Sequence, residues 1–178
     1  MTPWIRPLDF EALTQVALNM RAIDAQEIFA CRRDRDATAL ALELMAAVRL
    51  SGCAWCAGRD RPVAVFGAVE LWPGRWSALM FATEEWPGVA LAVTRFVRND
   101  VMPMLLGLGA RRCEVRSMAT HHDAHRWLEH LGARAEGVHP DEGCGAEPFI
   151  TYAWTRSHVH LQRTETAAPA GTAAAADP

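Results

Sequence analysis

The chain has 178 residues, 51% of them hydrophobic, and a formal net charge of -3. That is the length of one domain plus a tail, with enough apolar residues for a real core. The small net charge gives no global attraction to nucleic acid or to an anionic membrane, and no apolar run is long enough to span a bilayer. The opening MTPWIRPLDF lacks the basic start and apolar stretch of a secretion signal, so we expect a soluble protein made in a cytoplasm.

Trp4 and Ile5 before Pro7 read as a short edge strand. From Asp9, a suitable cap, Phe10, Leu13, Val16, Ala17 and Met20 recur at helical spacing. A second helical stretch runs from Ala22 to Arg32, with Ile23, Ile28, Phe29 and Cys31 as its apolar members. The charged run Arg32 to Asp36 reads as a solvated connection, and Asp36 can cap a helix from Ala37 to Leu50. Strands follow at Cys53–Ala57, Val63–Leu71 and Trp76–Thr83, joined by turns at Gly58–Pro62 and Trp72–Arg75, as an antiparallel meander. A helix from about Val89 meets Pro103, which should kink or end it near Met102, and Gly107 and Gly109 close the segment. Residues Arg112 to Met118 alternate, with Cys113, Val115 and Ser117 on one face and Glu114 and Arg116 on the other. Ala124, Trp127, Leu128 and Leu131 then recur at helical spacing up to Gly132. Gly137 to Pro148 reads as loop, and Phe149 to Trp154 as a last strand. From about Thr164 the chain is Ala, Thr, Pro and Gly without apolar periodicity, and we expect disorder there.

The order strand, helices, three antiparallel strands, helix, strand, helix, strand packs naturally as a mixed sheet covered by helices. It resembles the GNAT acetyltransferase superfamily. The opening WIRPLDFEAL is similar to the first strand and helix of many members, and HHDAHRWLEHLGARAEG is similar to their penultimate helix and turn, where N-x-x-A-x-x-x-Y-x-x-x-G-F is common. Ala124 and Gly132 fit that pattern. A phage branch of the superfamily resembles this chain further, through NMRAIDAQEIFA (Asn19 to Ala30), RPVAVFGA (Arg61 to Ala68) and HDAHRWLEHLGA. That branch includes small internal virion proteins of podophages needed for particle morphogenesis and also open reading frames labelled simply as acetyltransferases, and the resemblance alone does not choose between them. The resemblance implies an α/β (α+β) fold with a mixed, mostly antiparallel central sheet flanked by helices. It would span residues 1–160, with an Ala/Thr/Pro-rich tail at 161–178.

It also implies where acetyl-coenzyme A would sit. In this superfamily a loop of type (Q/R)-x-x-G-x-(G/A) joins the fourth strand to the next helix, and its N–H groups hold the pyrophosphate. Here that connection is ATEEWPGVALA, so a bound coenzyme would lie against Phe81, Thr83, Gly88 and Val89. The loop has one glycine, no basic residue, and Pro87, which has no N–H to donate. Glu84 and Glu85 place two negative charges where a dianion belongs, each repelling it by about 4 kcal/mol at an effective dielectric of about 20. Acids before a helix N-terminus ordinarily stabilise its dipole, and that role uses the same amides. Aligned on Gly132, the tyrosine that many members use to protonate the leaving thiolate is Leu128, which cannot transfer a proton, and the usual asparagine is His121. The only tyrosine, Tyr152, falls on the last strand, with its hydroxyl expected near the sheet edge. Glu70 and Glu114, on strands, are the candidate general bases.

The expectation is a catalytically degenerate, phage-type protein, virion-associated or active in assembly, with no cofactor. Its partners would be other virion proteins or itself, with no nucleic acid and no membrane, in the virion or the host cytoplasm. The alternative is an active acetyl-coenzyme A-dependent N-acetyltransferase acting on an amine.

Other clusters have plainer readings. His121 and His125 have a spacing that can chelate zinc on a helix, but no third ligand is evident, and a polar helix face accounts for them. Cys53 and Cys56 have redox-motif spacing, but on a strand they point to opposite faces. The five cysteines form no dense disulfide framework, and a reducing compartment fits. All 18 basic residues are arginine, so no lysine can carry an acyl group. Among seven tryptophans, Trp72, Trp76 and Trp86 lie in or beside turns and are the candidates for a protein interface.

Overall fold

In the computed structural model, which describes residues 2–156, both aspartate caps form. Asp9 Oδ1 accepts the Ala12 N–H at 2.8 Å and opens α1 (Phe10–Leu18) behind the edge strand β1 (Trp4–Pro7). Asp36 Oδ1 accepts the N–H groups of Thr38 and Ala39 and opens α3 (Ala37–Ser51), after α2 (Ala22–Ala30). The meander follows as β2 (Gly52–Gly58), β3 (Pro62–Trp72) and β4 (Arg75–Ala82). A single tight turn at Trp86–Gly88 leads to α4 (Ala90–Phe96), a π turn at Val97–Val101 and α5 (Met102–Gly107). Then come β5 (Arg112–Met118), α6 (His122–His130), β6 (Arg134–His139) and β7 (Phe149–Thr155). The tail expected at 161–178 lies outside the described residues.

The seven strands form one sheet in the order β1-β2-β3-β4-β5-β7-β6. Every pairing is antiparallel except β4 with β5. This is the mixed, mostly antiparallel sheet flanked by helices that the sequence implies. Its period of two sorts the core: Cys56, Val65 and Phe81 face α1 and α3, while Phe66, Ala68 and Trp76 face the α4–α5 and α6 side. Cys53 and Cys56 accordingly pack on opposite faces. Leu13 and Val16 are fully buried, and each such side chain contributes roughly 1.5–3 kcal/mol.

Pro103 does not end its helix. The π turn widens the backbone just before it, so the Met102 N–H reaches back to the Val97 carbonyl. Pro103 then falls at the second position of α5, where a missing N–H costs little. Both following helix ends stop at a glycine in the left-handed region, Gly109 at φ +86° and Gly132 at φ +87°. In each case the N–H groups of the glycine and of the residue after it turn back to the last carbonyls, as Ala133 does to Leu128 at 3.0 Å.

Three expectations are corrected. Residues 134–139 form β6 although they lack alternation, because an exposed edge strand is held by its backbone pairing to β7 and not by a buried face. β6 covers β7, so Tyr152 lies away from the sheet edge, 3% exposed, with its ring 5.2 Å from that of His125. Trp76 is 5% exposed, because β4 is an inner strand whose residue 76 sits between Glu70 and Cys113. It is a core residue and not a surface anchor. Trp72 is exposed with the Arg75 guanidinium over its ring, and Trp86 is half-buried.

Candidate functional site: a cleft where the sheet splits

Strands β4 and β5 pair over only three positions, Arg75 with Arg112 through Ser77 with Glu114. Beyond them the ladder stops, and a cleft of about 960 Å³, counting its open mouth, occupies the gap. Ala78 and Met80 line it from β4, Val115 and Ser117 from β5, and Val101 and Leu128 from the covering helices. The walls are mainly apolar; Arg21, Asp24, Glu27 and His121 form a polar end.

That end is organised by α2, which is hydrogen-bonded to the tips of both split strands. Arg21 donates its N–H to the Ala82 carbonyl at 2.8 Å, and Asp24 Oδ2 accepts the Ala82 N–H at 2.7 Å. The Arg21 guanidinium holds the same carboxylate in a fork at 2.8–3.0 Å. Three residues on, Glu27 Oε2 accepts the Met118 N–H at 2.7 Å and the Ser117 hydroxyl at 2.9 Å, and lies 3.0 Å from His121 Nδ1. Asp24 is 3% exposed. Burial pushes its carboxyl above the usual range, and the opposing pull of Arg21, the Ala82 N–H and His121 does not cancel that. The sequence signal was an acid at an inward position of α2, within a stretch otherwise read for its isoleucines.

The candidate bases sit elsewhere. Glu70 Oε1 accepts the Gly74 N–H at 2.8 Å and closes the β3–β4 turn. Glu114 lies on the opposite face of β5 from Cys113, Val115 and Ser117, held by Arg75 at 2.6 Å and Arg112 at 2.8 Å. Burial would raise its pKa, but the hydrogen bonds from Arg112 and Arg75 outweigh burial and leave it below the ordinary range. Neither glutamate reaches the cleft. Leu128 does line it, so the position aligned with a proton donor faces the gap with an apolar side chain. His121 precedes α6 and is engaged by Glu27; His125 Nε2 lies 3.1 Å from the Met118 carbonyl. Burial lowers the His125 pKa, favouring the neutral ring. Among the described residues, no group of three His, Cys, Asp or Glu side chains could hold a metal ion.

The four residues expected against a coenzyme do not meet in the cleft either. Phe81 is buried under α1 and α3, and Val89 is buried in the core beneath α4. Thr83 and Gly88 belong to the connecting turn, where the N–H groups from Glu85 to Val89 are used within the turn itself. The N–H of Glu85 points to Thr83 Oγ1 at 3.3 Å, that of Trp86 to the Thr83 carbonyl at 3.0 Å, that of Gly88 to the Glu85 carbonyl at 2.9 Å, and that of Val89 to the Trp86 carbonyl at 3.0 Å. Pro87 has none. Glu85 pairs with Arg61, and Arg59 Nε donates to the Gly88 carbonyl at 3.1 Å. Trp86 reaches from this turn to α6, where its ring meets Trp127 edge to face at 5.6 Å, and Trp127 Nε1 donates to Thr94 Oγ1 at 2.9 Å. From Glu85 to Val89 the turn offers a pyrophosphate no uncommitted N–H.

No family model matches the sequence, and no curated protein sequence matches it. Solved structures do match. An N-acetyltransferase from Staphylococcus aureus aligns with a TM-score of 0.68 at 12% identity, over 87% of this chain and 99% of that one. A Salmonella typhimurium protein described as an acetyltransferase, solved with its cofactor acetyl-CoA, aligns at 0.67 and 10% identity, over 87% and 94%. A Desulfovibrio desulfuricans protein described as a GNAT-family acetyltransferase aligns at 0.64 and 15% identity, over 86% and 99%. At such identities the likeness is one of architecture: this chain has the fold of the GNAT acetyltransferases.

Proposed function

We propose that the chain is a GNAT-fold protein with a catalytically degenerate site, acting through protein contacts as a virion-associated or assembly protein of a phage. The observation that carries the degenerate reading is the turn after β4, whose N–H groups from Glu85 to Val89 are all committed while Glu84 and Glu85 stand beside them. Leu128 at the cleft, and Glu70 and Glu114 away from it, support the same reading. The phage setting rests on the resemblance of Asn19–Ala30, Arg61–Ala68 and the α6 segment to internal virion proteins. The partners are then other virion proteins or a second copy, with Trp72 as the exposed aromatic anchor.

The second reading, an acetyl-coenzyme A-dependent N-acetyltransferase acting on an amine, draws on the cleft at the β4–β5 split and on a structural neighbour solved with that cofactor. Incubation with acetyl-coenzyme A and a panel of amines separates the two. The degenerate reading expects no release of coenzyme thiol above a protein-free control, and turnover would establish the second. The phage setting is tested by mass spectrometry of purified particles, where the chain should be present; its absence would remove that part of the proposal.

A further inference from the structure

Two of the five cysteines, far apart in the chain, are brought to one place on the surface. Cys31 is exposed directly after α2, and Cys144 is exposed in the connection between β6 and β7. The Cys144 N–H donates to the Ala30 carbonyl at 2.7 Å, and Cys144 Sγ lies 3.6 Å from the Arg32 carbonyl. The residue between those two acceptors is Cys31. The backbone on both sides is fixed. Ala30 packs with Met118 and Phe149, and the loop around Cys144 is tied by Gly143 to Glu147 at 3.0 Å and by Ala146 to Gly143 at 2.9 Å. A backbone hydrogen bond between residue 144 and the residue preceding Cys31 brings the two α-carbons into the roughly 4.4–6.8 Å range that a disulfide spans. The other three thiols differ: Cys56 and Cys113 are buried, Cys53 is half-buried, and Cys53 and Cys56 point to opposite faces of the sheet.

We infer that Cys31 and Cys144 form a site for reversible disulfide modification that staples the end of α2 to the β6–β7 connection. The oxidant is a small-molecule disulfide such as oxidised glutathione. One protein thiolate attacks it, forming a mixed disulfide and releasing one glutathione thiol. The second protein thiolate then displaces the other glutathione from the protein sulfur. One S–S bond is made and one broken, two protein thiols are oxidised, and one glutathione disulfide becomes two thiols that carry away the two protons. Burial, and then the Glu142 carboxylate, push the Cys31 thiol above its ordinary range, which suits a staple that closes slowly better than a reactive nucleophile. The consequence falls on the cleft, because α2 also carries Asp24 and Glu27, which hold the ends of β4 and β5.

The test equilibrates the full chain with glutathione buffers of graded oxidation, alkylates the remaining thiols and maps tryptic peptides. Cleavage after arginine puts Cys31 in the peptide Ala22–Arg32 and Cys144 in Ala135–Arg156, neither containing another cysteine. The expected result is these two peptides joined, within a monomer, with Cys53, Cys56 and Cys113 alkylated only after denaturation. Amide exchange in α2 should slow on oxidation in the wild type and not in Cys144→Ser, whose Cys31 should end as a mixed disulfide with glutathione. Glutathione adducts at both Cys31 and Cys144 without the joined peptide, or joined peptides only between separate chains, would overturn the inference.

Discussion

Glu27 ties the end of β5 to α2, and its removal has a calculable cost. One oxygen serves the Met118 N–H, the Ser117 hydroxyl and His121 Nδ1, and Met118 and Ser117 are each 1% exposed. Glu27→Ala leaves two buried donors without an acceptor, at about 1–3 kcal/mol each. Because the contacts share one network they do not add fully, and we expect a total loss of about 2–4 kcal/mol. Glu27→Gln keeps a carbonyl oxygen for the Met118 N–H and loses the charge, so about 1–2 kcal/mol should go. Urea unfolding should show the order wild type, Gln, Ala in midpoint at unchanged m, with Tm falling by about 2–4 °C per kcal/mol. Amide exchange at Met118 should accelerate in the alanine variant. If Glu27→Ala lies within about 0.5 kcal/mol of wild type, the level of an ordinary surface substitution, the bridge between the strand ends is not structural.

Trp86 and Trp127 line the cleft with their rings in edge-to-face contact, so Trp127→Ala should enlarge it and an apolar fluorophore should bind the folded variant more strongly than the wild type; equal binding would show that the ring pair does not limit the cleft. Glu114 has a pKa below its ordinary 4.5, so its contribution to stability is complete above that value and is lost as pH falls through the lower folded value. Wild type should therefore exceed Glu114→Gln in unfolding midpoint at neutral pH, and the gap should close on acidification; a gap independent of pH would contradict this. Gly132→Ala places a side chain at φ +87° and should cost about 1–2 kcal/mol in the same unfolding assay, because the left-handed conformation crowds a Cβ.

Most of the fold was legible because its elements announce themselves locally. Asp9 and Asp36 stand where caps are needed, the alternation of Arg112–Met118 matches a strand with one face on the cleft, and Gly109 and Gly132 mark helix ends. β6 was not legible, because an edge strand with no buried face has no side-chain period to read. Trp76 was misplaced because its position beside a turn hides that β4 lies in the middle of the sheet. For the site, the acidic turn after Ala82 and the apolar residue at 128 could be read directly from the chain. The roles of Asp24 and Glu27 could not, since they depend on α2 lying against strand ends 58 and 91 residues further along. The use of the amides from Glu85 to Val89 within the turn itself likewise appears only once the turn is folded.

Calorimetric titration of the full chain with coenzyme A tests the degenerate site most directly. No saturable heat should appear up to millimolar ligand, in the wild type or in a Glu84→Gln, Glu85→Gln double variant, because neutralising the acids leaves the amides of the turn committed. Saturable micromolar binding by the wild type would contradict that reading and make an acetyl transfer reaction the better description of the cleft.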